Sequence, residues 1–179
     1  MTDVDRFEAF VREFQDLVYG TAVRLLGRAA EAEDVSQTVL LRAFERFDQI
    51  GTSPSVAGWL KTVTTNLCLN HLTRYRARWQ FFSELAPAGA GGGRALDETL
   101  AAAAASPVEQ IDRTRRQARL EQALAALPDA QRVALVLFHF EARSYQQIAA
   151  ALGVSLAKVK TDIYRGRAAL RRALGDVDD

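Results

Sequence analysis

Cys68 and His71 stand three residues apart, a spacing that on a helix puts a thiol beside an imidazole, as a nucleophile with its base or as two of the donors of a zinc centre. The remaining inventory argues against both. One Cys and two His in 179 residues leave a tetrahedral site short of donors, and no Gly-rich phosphate loop is present. No enzyme, metal site or cofactor is expected. Cys68 reads as helix packing and His71 as a surface or nucleic-acid-proximal residue.

The stretch Ser144 to Arg172, SYQQIAAALGVSLAKVKTDIYRGRAALRR, suits a different chemistry. Two helices that cross closely need a small residue at the contact, Gly at the turn and a β-branched residue beneath the second helix. Ala149, Gly153 and Val159 fit that pattern as a helix-turn-helix, with Ser144 and Gln147 as a capping box and Ser155 as the second N-cap. At 100° per residue, Val159, Ile163, Gly166 and Leu170 share one face, while Ala157, Thr161, Tyr164, Arg165 and Arg172 lie opposite, with Lys158 and Lys160 at the flanks. Short residues near a helix start let base edges approach, and Lys or Arg pair with phosphate or guanine. A solvated basic helix explains the apolar stripe equally well but not the joint Ala/Gly/Val spacing, so DNA binding is favoured.

A second candidate surface is GWLKTVTTNLCLNHLTRYRARW, Gly58 to Trp79. Thr62, Asn66, Asn70 and Thr73 form a polar stripe, and the segment has no acidic residue. Single-stranded DNA calls for cations along the backbone, side-chain amides for base edges and aromatic surfaces for stacking. Trp59, Tyr75 and Trp79 could stack, although large aromatics at helical spacing are more often core, and Trp59 is read as core.

Helices must position both surfaces. Phe7, Phe10, Phe14, Leu17, Thr21 and Leu25 recur at three- and four-residue steps, as do Val35, Val39, Ala43, Phe47 and Ile50, and no stretch alternates with period two. Gly27 ends the first helix, residues 51 to 57 (GTSPSVA) form a loop, and a third helix runs from about Trp59 toward Arg78. Residues 86 to 105 contain 9 Ala and 4 Gly and offer almost nothing large to bury, which marks a flexible linker. Helix signals resume around Arg113 to Leu127, break at Pro128, continue from Asp129 to Phe140 and end in the helix-turn-helix. The expected fold is all-α: two small helical domains, 1–85 and 113–175, joined by an Ala/Gly-rich linker over 86–112.

Net charge is +1, but its distribution is uneven. Residues 1–58 carry a net −4, 59–83 a net +4 and 119–175 a net +5, which suggests two sites on polyanions and a different partner for the acidic N-terminal part. With 49% hydrophobic residues, one Cys and 4 Pro, collagen, a disulfide scaffold and a disordered tail are excluded. No secretory signal precedes the first helix and no apolar run approaches the roughly 18 residues of a membrane span, so a cytoplasmic protein is expected.

Taken in order, AEAEDVSQTVLLRAFERFDQ (30–49), the 58–79 segment and ALAALPDAQRVALVLFHFEARSYQQIAAALGVS (123–155) resemble regions two and four of an extracytoplasmic-function sigma factor, the promoter-specificity subunit of bacterial RNA polymerase. The resemblance implies a transcription initiation factor whose partners are core polymerase, at the β′ clamp helices and β flap, promoter DNA and an anti-sigma protein. By matching position it assigns Asp34, Gln37, Leu41, Arg42 and Phe44 to polymerase docking. It assigns Trp59, Lys61, Thr62, Asn66, Asn70, Arg74 and Arg76 to the minus-ten element, and it implies that region four reads the minus-thirty-five element, for which the helix-turn-helix face read above offers Ser155, Lys158, Lys160, Thr161, Tyr164 and Arg165. The 51–57 loop resembles the segment that receives a flipped base, and an ordinary connector fits it as well. The chain departs from the family's usual residues at Leu40, Asn70, Thr73, Gln147, Asp162 and Tyr164, which bears on promoter sequence more than on fold. Two other functions fit parts of the chain: an autonomous helix-turn-helix regulator, for which a dimerising apolar heptad is missing, and a sigma mimic that sequesters an anti-sigma protein, against which the basic recognition face argues.

Overall fold

The computed structural model describes residues 3–79 and 107–175, and the side chains within them apart from 75–79, 107–109 and 111. The chain divides into two compact units, residues 1–86 and 87–179, and the described residues of both are helical without strands. The predicted linker over 86–105 lies outside the described residues.

In the first unit, α1 (Asp3–Leu26) starts with Asp3 and Asp5 in its first turn and ends with Arg24 in its last, signs that complement the helix dipole. It stops at Gly27, whose φ of 70° and N–H bond to the Val23 carbonyl at 2.8 Å close the helix in the left-handed conformation that glycine accepts without strain. α2 (Ala29–Glu45) buries Ala32, Val35, Ser36, Val39 and Ala43. The predicted stripe runs on to Phe47 and Ile50, but the chain breaks at Arg46 (φ −116°, ψ 15°) and re-forms as the short α3 (Phe47–Ile50). Ring packing accounts for the break. Turned this way, the Phe47 ring meets Phe7 at 5.2 Å and Phe10 at 5.4 Å, both edge-on, a geometry that adds to plain area burial.

The loop is also shorter than expected. It ends at Ser55, and α4 (Val56–Trp79) takes in Val56 and Ala57. The serines explain this: the Ser53 carbonyl accepts the Val56 N–H at 3.1 Å, the Ser55 carbonyl accepts the Trp59 N–H at 3.0 Å, and the two hydroxyls bond each other at 2.9 Å. Satisfied in this way, the first turn forms earlier than the apolar pattern indicates. Leu60, Thr64, Thr65, Cys68, Leu69 and Leu72 of α4 are buried, and α1, α2 and α4 pack on one another. Trp59 is half-buried rather than fully in the core.

In the second unit, α5 (Pro107–Ala125) begins before the predicted Arg113: Pro107 suits the first helical position, and Glu109 and Gln110 are good helix formers. α6 (Asp129–His139) buries six consecutive residues, Arg132 to Leu137, as a central helix must. Its one charged member is satisfied locally: Arg132 Nη1 donates to the Leu127 carbonyl at 3.0 Å and Nη2 to Asp129 Oδ1 at 2.7 Å. α7 (Tyr145–Leu152) opens with the predicted capping box of Ser144 and Gln147 and closes on Gly153 at φ 64°. A Cβ on Gly153 would meet nothing within 4 Å, so backbone conformation and not crowding selects glycine there. α8 (Leu156–Gly175) buries Val159, Ile163 and Gly166 against α6 and α7.

Candidate nucleic-acid interface

In the first unit, α2 presents Asp34, Gln37, Leu41, Arg42 and Phe44 as exposed residues. Asp34, Gln37, Leu41 and Phe44 recur at three- and four-residue steps on the side opposite Ala32, Val39 and Ala43. Leu41 is 65% and Phe44 55% exposed, large apolar groups left in water on a helix whose other face is fully packed. The Phe44 ring is held edge-on by Phe7 at 4.9 Å, so its exposed position is fixed.

On α4, Thr62, Asn66, Asn70, Thr73 and Arg74 are all exposed and Lys61 is half-buried, which assembles the predicted polar stripe on the solvent side. The threonine hydroxyls turn back onto their own helix: Thr62 donates to the Gly58 carbonyl at 2.9 Å and Thr73 to that of Leu69 at 2.8 Å. The side chains of Tyr75, Arg76 and Trp79 lie outside the described residues. Cys68 is buried, which removes it from any surface chemistry. His71 faces a neighbouring helix, with Nε2 3.2 Å from Glu31 Oε2, while the other Glu31 oxygen accepts from Arg28 at 2.7 Å. It is thus a tie between α2 and α4 and not simply a surface residue; Glu31 lies too far away in sequence for spacing to reveal the pair. Among the described residues no group of His, Cys, Asp and Glu is placed to hold a metal ion.

In the second unit, the Ser155 hydroxyl accepts the Lys158 N–H at 3.2 Å, as an N-cap does. Lys160, Tyr164, Arg165 and Arg172 are exposed and Thr161 is half-buried, with its hydroxyl donated to the Ala157 carbonyl at 2.9 Å. Lys158, expected at the flank of the reading face, is tied to its own helix instead: its ammonium donates to both oxygens of Asp162 at 2.9 and 2.8 Å. The physical reason is the four-residue spacing, which stacks the two side chains on adjacent turns. Only the residue types and their spacing could have signalled it.

Behind the reading face, Arg167 is buried. Its Nε donates to His139 Nε2 at 3.2 Å, and its guanidinium lies 5.3 Å from the centre of the Phe138 ring, a cation–π contact. Phe138 in turn stacks on Tyr145 at 5.0 Å, linking α6, α7 and α8. His139 is exposed, but partial desolvation of its ring against the neighbouring side chains, and secondarily the positive charge of Arg167, hold its pKa below the ordinary 6.5. Neutral imidazole is what this bond requires, since Nε2 accepts. Sequence reasoning missed this cluster because its members come from three helices.

Comparison with known proteins supplies the family. The model for Sigma-70 region 2 matches residues 10–78 and that for Sigma-70 region 4 matches residues 117–170. The chain is 28% identical over 175 residues to the ECF RNA polymerase sigma factor SigW of Bacillus subtilis, covering 98% of this chain and 92% of that protein. It is 31% identical over 185 residues to the RNA polymerase sigma-E factor of Streptomyces avermitilis, covering 98% and 89%. A solved structure of the sigma factor RpoE in complex with the anti-sigma factor NepR from Bartonella quintana is 21% identical, with a TM-score of 0.48, covering 97% of this chain and 98% of that one.

Proposed function

The chain belongs to the sigma-70 family, in its extracytoplasmic-function group, and from that membership we propose that it is an alternative sigma factor. It binds core RNA polymerase, directs it to specific promoters and opens the minus-ten region. It performs no catalysis of its own and works in the cytoplasm, where the polymerase is. Among the described residues no helix is long and apolar enough to cross a membrane. Residues 1–85 act as region two and 113–175, with the first turns of α5, as region four.

The observation that carries this reading is the pair Leu41 and Phe44, 65% and 55% exposed on the solvent face of α2. Two large apolar groups side by side on an exposed helix face suit a surface that docks a protein partner. Asp34, Gln37 and Arg42 surround the pair with polar groups, the arrangement of an interface core and rim, and this patch takes the polymerase clamp. The α4 stripe of Thr62, Asn66 and Asn70, flanked by Lys61 and Arg74 and followed in sequence by Arg76, engages the opened minus-ten strand. Lys160, Thr161, Tyr164 and Arg165, beginning at the Ser155 cap, meet the minus-thirty-five element. An anti-sigma protein that covers one of these surfaces regulates the factor.

The decisive experiment uses a promoter found by sequencing the transcripts that reconstituted holoenzyme starts on genomic DNA. Gel-shift titrations at fixed salt compare that promoter with scrambled DNA, with and without core polymerase. Weak, indifferent binding by the protein alone and tight, selective binding with core enzyme are expected. Leu41→Ala with Phe44→Ala should weaken core binding while helix content is retained. Nanomolar, sequence-specific binding by the protein alone would overturn the reading in favour of an autonomous regulator.

A further inference from the structure

Lys158 and Asp162 make an unusual pair for a helix that meets a polyanion. The carboxylate side chain is 9% exposed and the lysine 52%, so the anion is packed at the edge of the Val159 and Ile163 face while the cation lies over it along the helix. Both carboxylate oxygens take the same ammonium, at 2.9 and 2.8 Å. The order is lysine first and acid second, which stabilises an isolated helix less than the reverse, so helix stability is a poor account of the pair. An acid in the first turns of such a helix also repels phosphates. Its net effect here is to cancel one lysine at the start of the reading helix, while Lys160, Tyr164 and Arg165 stay exposed beside it.

We propose that Asp162 sets the strength of the sequence-independent attraction of α8 to DNA by acting through Lys158. By holding the ammonium along the helix it withdraws one charge from that attraction, while Lys160, Tyr164 and Arg165 stay exposed to DNA. For Lys158 to reach a phosphate it must leave a nearly buried carboxylate without its cation and beside a negatively charged backbone, an exchange that is unfavourable on any sequence. Phosphate contacts raise affinity for all DNA alike and carry no sequence information. Removing one therefore lowers binding to every sequence by the same factor, weakens the salt dependence and leaves the ratio of matched to scrambled affinity unchanged. The proposal rests on the reading of α8 as the helix that meets the upstream element.

The test measures holoenzyme binding to promoter DNA with the matched or a scrambled upstream element, across a range of salt. Each phosphate neutralised steepens the dependence of log K on log salt by about 0.9. Asp162→Asn should therefore add about 0.9 to the slope, equivalent to an extra loss of about 3.5-fold between roughly 50 and 200 mM salt. It should leave the ratio of matched to scrambled affinity unchanged. Lys158→Ala in the Asp162→Asn background, which removes both charges, should restore the wild-type slope. Asp162→Glu, which keeps a carboxylate four residues on, should behave as wild type.

A double Lys158→Ala, Asp162→Asn variant with a slope flatter than wild type would overturn the proposal, because the lysine would already be on a phosphate. So would an Asp162→Asn variant with unchanged slope, or one that loses affinity at a single base pair, the sign of a carboxylate that reads a base directly. If Asp162→Asn fails to fold, Asp162→Ala, the better helix former, makes the same test of the slope. Wild-type holoenzyme that binds matched and scrambled upstream elements equally would sink the reading of α8 and this proposal with it, whereas intact wild-type discrimination with an indifferent Asp162→Asn sinks the proposal alone.

Discussion

Replacing Gly166 with Ala tests how tightly the reading helix is seated. A Cβ at that position would lie 2.5 Å from Leu135 Cδ1, 3.1 Å from its Cγ and 3.5 Å from Gln131 Cβ. Ordinary carbon contacts are about 3.5 to 4.0 Å, so α8 or the leucine must give by roughly 1 Å. Leu135 is 2% exposed and has no solvent to rotate into. Overpacking of this kind costs about 1–3 kcal/mol, against a gain of about 1 kcal/mol from the better helix propensity of Ala. The expected result is a net loss of about 1 kcal/mol. Leu135→Ala alone should cost about 2–5 kcal/mol through the cavity it leaves. In the double variant the new methyl occupies part of that space, so the two costs should fall short of additivity by about 1–3 kcal/mol. Because the chain has two units, one melting curve would mix their transitions. Hydrogen exchange of α6 and α8 amides reports the second unit by itself. Additivity within about 0.5 kcal/mol would refute the close approach of the two helices.

Three further outcomes are expected. Arg165→Ala, at an exposed position on α8, should leave helix content intact and weaken holoenzyme binding to the matched upstream element by about 1–3 kcal/mol if it pairs with guanine, as read by titration on matched and mutated promoters. Asn66→Ala with Asn70→Ala should lower the permanganate reactivity of thymines near the start site while binding to core polymerase is retained; unchanged reactivity would assign the α4 stripe to solvent or protein. His139 has a folded pKa below 6.5, so between the folded and unfolded values the unfolded chain holds more protons. Its contribution to stability is then complete above about 6.5 and lost as pH falls toward the folded value. Hydrogen-exchange protection of the second unit should decline over that window, and His139→Gln, which keeps an acceptor for Arg167, should remove that part of the decline.

Features set by neighbouring residues could be read directly. Gly27, Gly153 and the Ser144/Gln147 box obey rules that operate within one turn, and each stands where those rules put it. The exposed stripe of Asn66 and Asn70 and the buried one of Val159 and Ile163 follow from periodicity alone. Distance in sequence limits the rest. The break at Arg46 is dictated by rings that α1 contributes, and His71 and Arg167 find their partners on other helices. The Lys158–Asp162 pair lies within a four-residue rule, yet a lysine on the flank of a basic face fits a phosphate as well as an acid one turn on, so residue types alone do not choose between them.

The back-turned threonine hydroxyls alter the chemical vocabulary of both reading helices. Thr62, Thr73 and Thr161 each give the hydroxyl proton to a carbonyl one turn earlier, so each has its one donor committed to its own helix. In the proposed complex such a threonine would offer DNA a methyl, complementary to the C5-methyl of thymine, and an oxygen that still accepts, but no donor. Recovering the proton for readout requires giving up a bond with a net value of about 1 kcal/mol. On the four-residue stripe of α4, hydrogen bonds donated to a bound strand would therefore come from the amides of Asn66 and Asn70, each of which can donate and accept. The threonines on either side of them would accept only.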